Sequence, residues 1–229
     1  MAYGTPFVSG KDSLNNEYRV GEETLSIPPT LYVTAMSRVP SVANAVTMDA
    51  KQPGNLLLLV GVTNAELGGS EWLDMLGLEG GTVPRPDLER APSCLRKLHG
   101  ATKLRQMRAC HDLSEGGLAV AAAEMCMAGG FGADIDLSVI DREDFGEGYD
   151  PDATLLFSES CTRFLVEVTA PHAEAFERCF TEAGLGDIAR PIGEVTAGSR
   201  LTIRGKTAPD CIELDIEELR SAHKGGFAG

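Results

Sequence analysis

The sequence predicts an α/β protein in which a mixed sheet is covered by helices on one face, preceded by strands of a different origin. Three observations carry that expectation. Leu56-Leu57-Leu58-Leu59-Val60 is an unbroken apolar run of strand length, the pattern of a strand buried on both sides. Met107 to Cys110 leads into the polar, glycine-rich turn His111-Asp112-Leu113-Ser114-Glu115-Gly116-Gly117, and Leu118 to Met127 then reads as a helix. From there to His223, apolar strand-like runs alternate with amphipathic stretches.

Residues 1–50 differ from the rest. Pro6-Phe7-Val8-Ser9 and Thr30 to Met36 read as strands around a polar loop, and two strands cannot bury a core alone. The segment is therefore expected to be the remnant of a domain whose earlier part is missing, with residues 51–229 forming the α/β domain. Strands so left over would expose apolar faces and unpaired edges, which favours self-association.

Within 51–229, Asn55 to Val62 is the first strand, and Glu66-Leu67-Gly68-Gly69-Ser70 opens a short helix with Ser70 as its cap. Asp87 to Lys103 is predicted as an amphipathic helix with Leu88, Leu95, Leu98 and Leu104 on one side. Gly129-Gly130 stops the next helix, and Ala133 to Val139 alternates as a strand. An acidic loop spans 141–151. Leu155 to Arg163 is a polar island between apolar runs, where Arg163 is expected to pair with Glu159. Phe164 to Val168 is a strand, His172 to Ala183 a helix, and Pro191–Val195 with Leu201–Arg204 a hairpin. Ile216 to His223 is the last helix.

Composition narrows the function. Thirty-four acidic residues against 20 basic ones give a net charge of −14, which repels a nucleic-acid backbone. No apolar run approaches the roughly 20 residues that span a bilayer, and the first residues carry no secretory pattern. The six cysteines are widely spaced without a C-x-x-C pair, which suits reduced thiols in a cytoplasm and argues against zinc.

The turn at 110–118 carries the chemistry. Asp112 and Ser114 stand where a helix begins, and Gly116-Gly117 lets the backbone pass close to a neighbour. Free N–H groups at a helix start favour an anion, and Asp112 with Glu115 suits the divalent cation that accompanies a phosphate. On residue chemistry alone, a plain Ser114 cap with a glycine turn is equally acceptable. Gly10-Lys11-Asp12-Ser13 has the makings of an anion loop but lacks the Walker spacing. His111 has no nucleophile in a suitable context, so a hydrolase triad is poorly supported. His99, His172 and His223 read as surface residues.

Taken in order, Gly10-Lys11-Asp12-Ser13, Ser26 to Leu31, Glu66 to Glu71, His111 to Leu118, Leu156 to Ser160 with Arg163-Phe164, and Ile192 to Val195 resemble the synthetase part of phosphoribosylformylglycinamidine synthase. That family has the aminoimidazole ribonucleotide synthetase-like fold, with two fused A/B halves. The resemblance implies the end of the second A domain followed by the second B domain. It also implies an ATP- and magnesium-dependent reaction of formylglycinamide ribonucleotide with ammonia from a glutaminase domain or subunit. The family's catalytic ATP site relies mainly on the first A domain, so no catalytic residue is assigned here, and the chain alone is expected to be inactive.

Carried over residue by residue, Asp112 would ligate magnesium and Ser114 would contact ATP or ADP at an auxiliary site, beside Gly116 and Gly117. Gly10, Lys11, Asp12 and Ser13 would line the nucleotide cleft of the A domain. The partners implied are the remaining synthetase, the glutaminase and a small phosphorylated substrate, with no nucleic acid or membrane. Two alternatives remain. One is a noncatalytic nucleotide-binding or scaffolding module. The other is a paralogue such as aminoimidazole ribonucleotide synthetase, disfavoured because a Gly-Gly-Glu-Thr type sequence is expected where Lys11-Asp12-Ser13 stands.

Overall fold

A computed structural model describes residues 2–11, 16–28, 30–39, 41–141, 145–186 and 188–225. The chain divides between Val42 and Ala43 into two units.

The first unit contains one antiparallel hairpin, β1 (Glu17–Val20) with β2 (Glu23–Ser26), closed by a two-residue turn in which Gly21 has φ +64°. The strands expected at 6–9 and 30–36 are absent; both stretches are irregular and exposed, with Phe7 at 95% and Tyr32 at 91%. Apolar, β-branched composition favours a strand only where a neighbour supplies ladder hydrogen bonds and a face to pack on. Among the described residues these stretches have no strand partner.

The second unit begins with residues 43–50, a strap laid on the domain: Ala50 N–H donates to Met125 O (3.1 Å) and Cys110 N–H to Thr47 O (3.1 Å). The strap closes on Glu167, wholly buried, whose carboxylate accepts from the N–H groups of Lys51 (2.7 Å) and Gln52 (3.2 Å). The elements then run β3 (Leu56–Val60), α1 (Glu71–Met75), α2 (Ala91–Lys103), β4 (Met107–Asp112), α3 (Gly117–Gly129) and β5 (Gly132–Asp136). They continue with α4 (Pro151–Phe157), β6 (Phe164–Val168), α5 (Ala170–Thr181), β7 (Ala189–Thr196), β8 (Arg200–Arg204), β9 (Ile212–Asp215) and α6 (Ile216–Gly225). The seven-stranded sheet has the order β4-β6-β3-β7-β5-β8-β9. Its pairs are antiparallel except β5 with β8, so the sheet is mixed as expected.

Central β3 is buried on both faces, as its apolar run requires. Leu57 and Leu59 pack with Leu118, Ala121 and Met125 of α3, Leu155 of α4 and Ile216 of α6. Leu58 and Val60 pack with Cys94 and Leu98 of α2 and with Phe176 and Phe180 of α5. Phe176 and Phe180, one helical turn apart and fully buried, contribute about 1.5–3 kcal/mol each. Helices therefore cover both faces of the sheet, not one. A strand that is apolar at every position needs a layer on each side.

Four local expectations are corrected by packing. The inner side of α2 is Ala91, Cys94, Leu98 and Ala101, whereas Leu88, Leu95 and Leu104 are exposed: small residues let the helix sit close to the sheet. The strand expected through Val139 ends at Asp136, whose side chain accepts from Ser138 N–H (2.9 Å) and turns the chain into a short 3-10 helix. The apolar start of the 155–163 island belongs to α4, capped by Asp150, whose carboxylate accepts from Ala153 N–H (2.7 Å). Finally, β7 and β8 form no hairpin, because β5 lies between them and β8 turns instead to β9.

Asp152 in α4 fastens the 206–208 turn. Its carboxylate accepts from the N–H groups of Lys206 (2.6 Å), Thr207 (3.0 Å) and Ala208 (2.9 Å), and from Thr207 Oγ1 (2.5 Å). Burial pushes its pKa up, but these donors outweigh burial and hold it below the usual carboxylate range. A carboxylate with a depressed folded pKa stabilises the fold fully above its unfolded pKa of about 3.9, and that contribution fades as pH falls through the folded value. Asp152→Asn is expected to cost about 1–3 kcal/mol at pH 7. In urea titrations at several pH values, the gap between native protein and variant should narrow below about pH 4. A gap that is constant with pH would count against this role.

Candidate functional site

Three loops meet at one end of β3 and β6: residues 61–70 after β3, 113–117 between β4 and α3, and 158–163 between α4 and β6. At their centre is Arg163, 1% exposed, at the entrance to β6. Its guanidinium donates from Nε to Ser160 O (3.1 Å), from Nη1 to Thr63 Oγ1 (3.0 Å) and from Nη2 to Ser158 O. Burial pushes its pKa down to about 10, with Glu66, Cys161 and Glu159 pulling it back, so it stays charged at neutral pH.

The hydroxyls complete the knot. Ser158 Oγ donates to Asn64 O (2.8 Å), Ser160 Oγ donates to Glu66 Oε2 (2.5 Å), and Ser160 Oγ accepts from Asn64 N–H (3.0 Å). Glu66 Oε1 accepts from Arg85 N–H (3.1 Å). The expected Arg163–Glu159 pair is not formed. Arg163 turns inward to carbonyls, while Glu159 Oε1 accepts from Glu71 N–H at the start of α1 (3.0 Å) and from Gly116 N–H (2.9 Å). A carboxylate near a helix N-terminus complements its dipole, so here the protein's own Glu159 occupies a place that an anion would take.

The glycine-rich turn is shaped by this packing. Gly116 is the N-cap of α3 at φ +74°, with no side-chain cap bond, so Ser114 is not the cap. Gly117 has φ +62°, and a Cβ there would lie 2.5 Å from Ser158 O and 2.7 Å from Leu156 O. The pair thus lets the turn run against the 156–158 backbone. At the other glycine turn, Ser70 caps α1 as expected, its Oγ accepting from Leu73 N–H (3.3 Å). There Trp72 stacks on Phe157 with ring centroids 4.0 Å apart.

Asp112, Ser114 and Glu115 are left on the exposed outer side of the turn. The Asp112 side chain is 68% exposed, 3.4 Å from His111 Nδ1, and His111 Nε2 shares a hydrogen bond with Glu124 (2.7 Å). Magnesium keeps several waters and takes one or two carboxylates plus phosphate oxygens. Asp112 fits as one such carboxylate. Among the described residues no group of three His, Cys, Asp or Glu side chains stands ready for a metal, so Asp112 alone does not make a complete site.

Gly10 and Lys11 are exposed residues of the first unit, and Asp12 and Ser13 lie outside the described residues. All six cysteines are free. Burial pushes the thiols of Cys94 up to about 11 and of Cys110 and Cys126 up to about 12, which leaves them protonated and unreactive at neutral pH. Among the described residues no helix is long and apolar enough to cross a membrane.

The parts that residue patterns missed are Thr63, Asn64 and Glu66, and the double acceptor role of Glu159. Three polar side chains and an arginine inside an apolar run were the available signal, because each buried polar group needs a partner.

Comparison with known proteins adds the relatives. The AIR synthase related protein C-terminal domain family matches residues 52–206. The PurL subunit of phosphoribosylformylglycinamidine synthase from Thermococcus sibiricus is 38% identical over 189 residues, which are 82% of this chain and 25% of that protein. The chain thus spans about a quarter of the relative's length. Among solved structures, Thermotoga maritima PurL complexed with FGAR matches with a TM-score of 0.66 at 17% identity, covering 78% of this chain and 30% of that one. The same protein complexed with ATP matches at 0.61 and 18%, covering 78% and 27%. At these identities the structural likeness speaks for the fold alone.

Proposed function

This chain belongs to the AIR synthase related protein C-terminal domain family, and from that premise we propose that it is the rear part of an ATP-dependent C–N ligase of purine biosynthesis, acting in the cytoplasm. The reaction joins glutamine-derived ammonia to formylglycinamide ribonucleotide, giving formylglycinamidine ribonucleotide. The observation that carries the reading is the 38% identity to a PurL subunit across 82% of this chain.

On this reading residues 1–50 continue an A-type domain and residues 51–229 are the B-type domain. The rest of the synthetase and a glutaminase are the partners. Phe7, Val8, Leu31 and Tyr32 are each almost fully exposed, and large apolar side chains left in water support a covering layer from the rest of the synthetase. ATP or ADP and magnesium are the cofactors of the whole enzyme; when bound, the metal would neutralise charge on the phosphates. Asp112 would offer it one carboxylate and Ser114 a hydroxyl to the nucleotide. Gly116 and Gly117 would keep the turn close, and Gly10, Lys11, Asp12 and Ser13 would belong to the nucleotide cleft of the A-type domain.

Product formation from formylglycinamide ribonucleotide, ammonia and ATP tests the reading. We expect none from this chain alone and turnover from a full-length synthetase that carries it. Robust turnover by the chain alone, or none by the complete protein, would overturn the proposal. In that complete protein, Asp112→Ala is expected to weaken ADP–magnesium binding about tenfold or more, the scale of one charge-assisted contact. Calorimetry showing unchanged affinity would remove Asp112 from the site.

A second reading, a noncatalytic scaffolding module, has one observation in its favour. The Gly116 N–H expected to receive an anion already serves Glu159. Unchanged ADP–magnesium affinity combined with loss of assembly in turn variants would select it.

A further inference from the structure

Away from the three loops, a cleft of about 240 Å³ opens where the 43–50 strap and Lys51 pass the end of α2 and the start of β4. Asn44, Lys51, Thr102, Arg105, Met107 and Arg108 line it, and among the described residues no carboxylate does. Lys51 is already committed: its Nζ donates to Thr47 Oγ1 and to Asp49 O (both 2.7 Å) and pairs with the Asp49 carboxylate. The two arginines are not so committed. Arg105 reaches Asn44 Oδ1 only at 3.5 Å, and the exposed Arg108 side chain forms no hydrogen bond or ion pair among the described residues.

Arg105 also stands where its backbone is unfavourable. It follows the α2 C-cap Leu104 at φ +56°, with Gln106 N–H donating to Ala101 O (3.0 Å) and Arg105 N–H to Thr102 O (3.1 Å). This helix ending is normally closed by glycine, and a side chain there is strained. The same bonds occupy the α2 carbonyls of Ala101 and Thr102, which reduces their repulsion of an anion. A strained arginine and an uncompensated one thus share a concavity on a chain of net charge −14. Two planar forks of this kind suit the oxygens of a phosphoryl group.

We propose that this cleft is a phosphate subsite, taking a phosphoryl group, free or on a small ester, between Arg105 and Arg108. The subsite is independent of the ligase reading, since it involves neither Asp112 nor turnover.

The test measures thermal midpoints and calorimetric affinities of the 229-residue chain with inorganic phosphate and with glycerol 3-phosphate, against sodium chloride at equal ionic strength. Either phosphate should raise the midpoint where chloride does not. Tighter binding of the ester assigns the site to a phosphorylated metabolite, and tighter binding of inorganic phosphate assigns it to the free ion. Arg108→Gln should weaken binding about tenfold or more with the anion-free midpoint unchanged. Arg105→Gly should raise the anion-free midpoint while weakening binding, because the residue exchanges backbone comfort for a ligand contact. Phosphate acting no better than chloride, or Arg105→Gly retaining full affinity, would overturn the proposal.

Discussion

Arg163→Ala is expected to cost about 3–5 kcal/mol, a large share of the ~5–15 kcal/mol that holds a typical domain. The guanidinium ties Ser158 O, Ser160 O and Thr63 Oγ1 together in a place with almost no solvent. Removing it strands two carbonyls and takes a neighbouring positive charge away from the Glu66 carboxylate. Arg163→Lys should fall between, because a point charge cannot serve three acceptors as a planar fork does. Urea denaturation followed by fluorescence measures the loss. The single tryptophan, Trp72, stacks on Phe157 just before the knot and reports its loosening directly. A loss below about 1 kcal/mol, the scale of an ordinary surface contact, would mean that the loops hold without their central cation.

Gly117→Ala is expected to be comparably damaging, about 2–5 kcal/mol. That figure combines the cost of a left-handed conformation with the overlap of its Cβ and the backbone of Leu156 and Ser158. The two contributions separate by experiment. Gly184 has nearly the same conformation, φ +73°, but nothing within 4 Å of where a Cβ would stand, so Gly184→Ala should show the conformational cost alone, about 1–2 kcal/mol. Equal losses for the two variants in parallel denaturation curves would show that the close approach at Gly117 is unimportant.

The legible elements were those whose cause is local. β6 runs from Phe164 to Val168 as its apolar run predicts, and Ser70 caps α1 because a serine before a polar first turn has few other uses. The strand–turn–helix at 107–129 also followed from residue order alone. What stayed hidden depends on distant neighbours. Nothing local says that β5 inserts between β7 and β8, nor that Leu95 faces solvent while Cys94 faces the sheet. At the site, Ser158, Glu159, Ser160 and Arg163 were recognisable as polar groups in need of partners. Their partners, Asn64, Glu66 and Gly116, lie across the fold and could not be matched by spacing. The stretches at 6–9 and 30–36 show the converse. Their composition is that of strands, yet composition cannot provide the strand that would pair with them.

The sheet order bears on how the domain is made. Central β3 is flanked by β6 and β7, both far downstream in the chain, and the edge strand β4 is held through β6. A ribosome therefore releases this interior strand long before it releases either neighbour. Until then Leu56 to Val60, the most apolar strand of the molecule, must wait without a ladder on either side. Non-local pairing of this kind slows folding and prolongs the exposure of sticky nascent chain. Aggregation during synthesis is therefore set by how long that strand stays uncovered.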